Sequence, residues 1–173
     1  MRSTDDVIAL QGWGVFNKKP FDVAAIVQLA RELAPHRLID TDSGGGANNM
    51  HIGDVNDIHS YPFPGNPAAS STQYAMIGEF GGIGAFQAGH MWTPSGCFAY
   101  KANKDAHDQA TMYAGMAATI TSNRDHISAS VYTQTTDLER ECDGFLNYDR
   151  TNKFSDADTA LIKAANQKLI NGN

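Results

Sequence analysis

The chain lacks any run near the roughly 20 apolar residues that cross a bilayer. Its opening, Met1-Arg2-Ser3-Thr4-Asp5-Asp6, carries no apolar secretion signal. The default compartment is therefore the cytoplasm. Basic excess is missing too: 13 Lys and Arg stand against 19 Asp and Glu, a formal net charge of -6. Such a surface does not attract nucleic acid or anionic membrane, so neither is expected as a partner. Cysteine is scarce. Cys97 and Cys142 are far apart, make neither a disulfide framework nor a paired-cysteine metal site, and read as partly buried free thiols. Gly44-Gly45-Gly46 is not followed by Gly-Lys-Ser/Thr, which excludes a phosphate loop. His51, Asp54, Asp57 and His59 crowd one stretch but match no tight zinc spacing. No metal or cofactor is expected.

Length is also in short supply. The 173 residues suffice for one domain with a real core. They fall short of the roughly 250 residues usual for an eight-stranded α/β barrel. A content of 42% apolar and 18% charged residues places the chain among globular proteins rather than disordered ones.

What is present alternates between two periodicities. Short apolar runs at 7–10, 37–41, 55–61, 74–80 and 128–134 read as strands. Helical spacing covers 21–33, 105–122 and 155–169. Asp22 and Ser155 stand at helix starts, and Pro35 stops the first helix. Strands separated by helices or long loops predict a parallel sheet with crossovers, an α/β fold. The polar, aromatic-bearing loops at 42–53, 81–102 and 135–152 follow strands. In such folds the site lies at the carboxyl ends of the strands. No repeat or linker interrupts the chain, so one domain over 1–173 is the simplest count.

Three segments together carry a family resemblance. They are Asp54-Val55-Asn56-Asp57-Ile58-His59-Ser60-Tyr61-Pro62, then Gly78-Glu79-Phe80-Gly81-Gly82 with Gly89-His90-Met91-Trp92, then Val131-Tyr132-Thr133-Gln134-Thr135-Thr136-Asp137 running on to Glu141, Asp143-Gly144 and Tyr148-Asp149-Arg150. In order and spacing they resemble the catalytic domain of family 2 glycoside hydrolases, which include β-galactosidases and β-glucuronidases. Gly12-Trp13-Gly14 before a helix fits the family stretch after its acid/base strand. The resemblance implies a partial (β/α) barrel made of strands four to eight. It also implies a retaining β-glycosidase on a carbohydrate substrate.

A retaining glycosidase needs two carboxyl groups about 5–5.5 Å apart, one nucleophile and one acid/base. The resemblance makes Glu79 the nucleophile. The family's acid/base position reads Gln11, preceded by Leu10 where the family has asparagine. An amide does not supply a proton at neutral pH. Replacement acids are therefore sought in Glu141, Asp137 and Glu139 after the fifth strand, and in Asp40 and Asp42 after the second. Trp13, Tyr61 and Trp92 offer aromatic faces for a sugar ring. His59, His90 and Gln134 offer hydrogen bonds to its hydroxyls. Five strands leave two sheet edges open, so self-association as a dimer, or pairing with a complementing chain, is expected. The missing acid and missing strands support a second reading, a non-catalytic carbohydrate-binding or barrel-complementing protein.

Overall fold

A computed structural model describes residues 7–9, 22–41, 43–45 and 50–172. Leu10, Gln11, Trp13 and Asp42 lie outside the described residues. The elements run β1 (Val7–Ala9), α1 (Val23–Leu33), β2 (Leu38–Asp40), β3 (Val55–Ser60), β4 (Tyr74–Gly81), β5 (Ile83–Gly84), β6 (Lys101–Ala102), α2 (Ala106–Ser122), β7 (Ile127–Thr133) and α3 (Asp156–Asn171). This is a mixed α/β fold with parallel pairing: β1 with β2, and β5 with β6. A three-stranded sheet has the order β3-β4-β7. The Tyr74 amide donates to the Asp54 carbonyl at 2.9 Å and the Gly81 amide to the Pro62 carbonyl at 3.0 Å. Partners that advance together in this way mark β3 and β4 as parallel. No described helix is long and apolar enough to cross a membrane.

The chain forms two compact units. The first takes Met1–His59, Gly65–Gly78 and His126–Ser130. Here α1 starts where the sequence places it: the Asp22 carboxylate accepts the Ala25 amide at 3.2 Å, satisfying an orphan donor of the first turn. Val23 and Val27, one turn apart, bury one face against Ile39 of β2. Asp54 ties that layer together. Its Oδ2 accepts the Ile39 amide at 2.8 Å, and its Oδ1 pairs with the Arg31 guanidinium at 3.0 Å.

The second unit takes Ser60–Pro64, Glu79–Asp125 and Val131–Asn173. Helices α2 and α3 begin on side-chain caps, Asp105 accepting from the Asp108 amide and Ser155 from the Asp158 amide. Gly172 closes α3 at φ +78°, a left-handed position suited to glycine. Tyr113, Met116, Ala117 and Ile120 of α2 are buried, as are Ile162 and Ala165 of α3. The Tyr113 hydroxyl donates to Asn166, linking the two helices. Beneath them sits an aromatic core. Tyr132 and Phe145 stack at 4.3 Å between ring centres, with Phe80 and Tyr113 edge-on to Tyr132.

The segment 81–102, read as one loop, contains β5 and β6. The two cysteines are not free thiols. Cys97 and Cys142 form a disulfide with Cα atoms 5.6 Å apart. The expectation failed because sequence separation says nothing about which loops the fold brings together. A bridge closing 45 residues contributes roughly 4 kcal/mol in the chain-entropy account.

A buried ion pair fixes the segment after β7. Lys153 Nζ, with no exposed side-chain surface, meets Asp137 Oδ1 at 2.7 Å and donates to the Gly144 carbonyl at 2.9 Å. Asp137 Oδ1 also accepts the Gly144 amide at 2.8 Å. Removing the lysine would strand a buried carboxylate. Lys153→Met is therefore expected to lower stability by about 3–5 kcal/mol, measured as a drop in the urea midpoint at constant m-value. A loss under 1 kcal/mol would show that the pair is unimportant to folding.

Candidate functional site

Glu79 sits near the C-terminal end of β4, between Gly78 and the buried Phe80. Tyr61 follows the last residue of β3, and the Gly81–Pro62 hydrogen bond fixes their register. The Tyr61 hydroxyl donates to Glu79 Oε2 at 2.6 Å, within the range of strong charge-assisted bonds. Burial raises the Tyr61 pKa well above that of an ordinary phenol, and the Glu79 bond adds to this, while a bond with the Thr133 side chain acts the other way. Tyr61 therefore stays a protonated donor across the physiological range.

Tyr100 lies flat on Tyr61, with ring centres 4.0 Å apart and planes 10° apart. Phe98 meets Tyr100 edge-on at 5.2 Å. Gly82 makes this stack fit. It has φ +59°, and a Cβ there would lie 2.4 Å from Tyr100 Cδ2 and 3.0 Å from Tyr61 Cδ1. Sequence reading used Tyr61 and missed Tyr100, which belongs to the segment taken as loop.

The other residues singled out from sequence distribute as follows. His90 Nδ1 lies 2.8 Å from Asp149 Oδ2, and Trp92 packs edge-on against Tyr148 at 5.0 Å. The Asp149 carboxyl is held low, at about 2, by bonds from Thr151 and then His90. Trp92 is half exposed, so one aromatic surface remains open to solvent. Gln134 donates through Nε2 to Asp143 Oδ1 at 2.7 Å. Glu141 is exposed and its backbone bridges Phe98. Glu139 is exposed at φ +51°.

Asp137 does not suit the acid role proposed for it, because Lys153 holds it in the buried pair. Asp40 is likewise buried, at 3% exposure, which withholds it from a substrate. His59 belongs to the first unit. Its Nε2 lies 3.3 Å from Asp57 Oδ2 and 3.2 Å from Ser43 Oγ. Asp57 is an organiser that sequence reading left unassigned. Its Oδ1 accepts the Gly78 amide and its Oδ2 accepts the Gly44 amide. A Cβ on Gly78 would fall 2.3 Å from both carboxylate oxygens, so only glycine fits before Glu79.

The chain matches no family model and no curated protein. It does resemble solved structures. An exo-β-agarase shares 18% identity at TM-score 0.64, over 87% of this chain and 22% of the agarase. The agarase AgWH50C shares 15% at TM-score 0.56, over 87% and 25%. PfGH50B shares 15% at TM-score 0.54, over 86% and 23%. The fold thus resembles part of these agarase structures, and the chain spans about a quarter of their length.

Asp143 yields a test of the loop's electrostatics. Burial pushes its carboxyl up to about 6, offset in part by the Gln134 bond and reinforced by Glu141 and Asp137. The unfolded value is about 3.9. Protonation thus favours the folded state: the contribution is complete below about pH 4 and lost as pH rises through 6. Asp149 and Asp158, held low, work in the opposite sense, so the variant must be compared with the parent at each pH. Asp143→Asn is expected to be more stable than the parent by roughly 2 kcal/mol at pH 7.5 and equal to it near pH 4. Urea unfolding at both pH values measures this. A difference that does not change with pH would contradict the burial of a charged Asp143.

Proposed function

We propose that this chain carries the nucleophile side of a retaining β-glycosidase site, of β-galactosidase type, with Glu79 as nucleophile. The observation that carries the reading is the Tyr61–Glu79 bond at 2.6 Å, placed at a strand end of a glycoside hydrolase fold. The family 2-like motifs around Tyr61, Glu79 and Gln134 add support. The agarase likeness favours galactose-containing β-glycosides among the possible substrates.

Glu79 attacks the anomeric carbon through one carboxylate oxygen, and the bond to the leaving oxygen breaks. Water then hydrolyses the glycosyl ester and restores the carboxylate. Tyr61 holds the carboxylate's orientation throughout and is a positioning group. Protonation of the leaving oxygen falls to another carboxyl group, for which Glu141 is the proposed replacement. It is exposed, and its backbone bridge to Phe98 sets it beside the segment that ends in Tyr100. His90, Trp92 and Gln134 remain the proposed sugar contacts. A second copy or a complementing chain would supply the remaining barrel strands. The Cys97–Cys142 disulfide favours an oxidising compartment over the cytoplasm.

Gln11 at the family's acid position favours the second reading, a sugar-binding or barrel-complementing protein. The two readings separate in one experiment. The full chain is incubated with a 2-fluoro aryl β-galactoside and examined by intact-mass spectrometry and peptide mapping. The hydrolase reading expects a covalent adduct on Glu79. It also expects adduct formation in Tyr61→Phe to slow by about 10- to 100-fold. Absence of the adduct across 2-fluoro glycosides of several sugars would leave the binding reading in its place.

A further inference from the structure

We infer that Tyr100 and Phe98 form a stacking platform for a neutral, β-linked galactosyl oligosaccharide beside Glu79. The substrate class rests on the proposed function, but the platform rests on its own geometry. Tyr100 and Phe98 leave 53% and 48% of their surfaces exposed, although they pack against each other. Isolated exposed aromatics are ordinary on a protein surface. Here Tyr100 stacks on Tyr61, which bonds the Glu79 carboxylate, and Phe98 stands edge-on beside Tyr100. One face of Tyr100 is occupied by Tyr61.

The platform is held at both ends. On one side, the disulfide anchors Cys97, the Phe98 amide donates to the Arg140 carbonyl at 2.6 Å, and the Cys142 amide donates to the Phe98 carbonyl at 2.8 Å. On the other, the Lys101 amide donates to the Gly82 carbonyl at 3.2 Å, and the Asn103 amide to the Gly84 carbonyl at 2.7 Å. Tyr100 therefore stands in a pre-ordered segment, and binding through it costs little loop entropy. Galactopyranose suits such a surface. With its 4-hydroxyl axial, its opposite face is a patch of C–H bonds that packs on an aromatic ring. A neutral sugar also meets no repulsion from a chain with net charge -6.

The test is isothermal titration of the full chain with a neutral agarose tetrasaccharide. Tyr100→Leu is expected to weaken binding about ten-fold, the scale of one aromatic contact. Phe98→Leu/Tyr100→Leu is expected to weaken it further. Tyr100→Phe retains the ring and should bind as the parent does. Tyr74→Leu, at an exposed aromatic of the first unit, should also leave affinity unchanged. The platform is overturned if the parent does not bind the tetrasaccharide, or if Tyr100→Leu binds with unchanged affinity. It is also overturned if Tyr100→Phe loses as much as Tyr100→Leu. Glu79 labelling reports on the hydrolase reading separately. Tyr100-dependent binding without labelling keeps the platform and removes the hydrolase. Labelling with Tyr100-independent binding does the reverse.

Discussion

Much of the second unit hangs on one lysine ammonium kept out of water. Lys153 has no exposed side-chain surface, and burial lowers its pKa while Asp137 pulls it back. An ammonium is stripped of water at a cost of several kcal/mol unless donors and acceptors replace the solvent. Asp137 Oδ1 and the Gly144 carbonyl do so here. Asp137 in turn takes the Gly144 amide, whose glycine has backbone of Thr136 and Asp137 within 2.3 Å of where a Cβ would be. The chain after β7 is thereby folded back on itself with no room for adjustment. Gln134, Asp143 and Cys142 all belong to this fixed segment. From Cys142 the constraint passes through the disulfide to Phe98 and Tyr100, then by ring stacking to Tyr61, and by one hydrogen bond to Glu79.

That route explains why a carboxylate at a strand end is a candidate for chemistry rather than a solvated surface group. Glu79 is half buried, and Tyr61 donates a short bond to one of its oxygens. Hydrogen bonds to charged groups are worth about 1.5–3 kcal/mol. The phenol is kept protonated by its own burial, so the bond persists wherever the carboxylate is charged. On the other side of the same strand, Gly78 gives its amide to Asp57 and has no space for a side chain. Backbone and side chain are therefore both held at Gly78 and Glu79.

The parts of the fold legible in the sequence are those fixed by near neighbours. Asp22, Asp105 and Ser155 accept amides three residues on, so the helix starts follow from local chemistry. The face that the first helix buries, Val23 and Val27, shows only in the structure, while the helical spacing over 21–33 is legible in the same way. The same holds for the strands up to Gly81 and for β7. What stayed hidden depends on distant partners. Cys97 and Cys142 read as free because their loops meet only in three dimensions. Asp137 read as a possible acid because its partner, Lys153, lies 16 residues away in the sequence. Tyr100 had no motif to mark it. Its importance comes from Gly82, which makes room for it, and from Tyr61 beneath it. The strands β5 and β6 have two residues each, too few for any period to register.

The missing acid is also a matter of environment rather than of residue type. Acidic residues are plentiful in the sequence, but the described ones near the end of β7 have been put to different uses. Asp137 neutralises a buried lysine. Asp143, with a carboxyl at about 6, is in the range a general acid needs. Yet it is 1% exposed and already holds Gln134, so its proton has no path to a leaving group. Glu141 has the access that Asp143 lacks. Among Asp137, Glu139, Glu141 and Asp143, the first and last are buried and the other two exposed, so burial and access are divided between different residues.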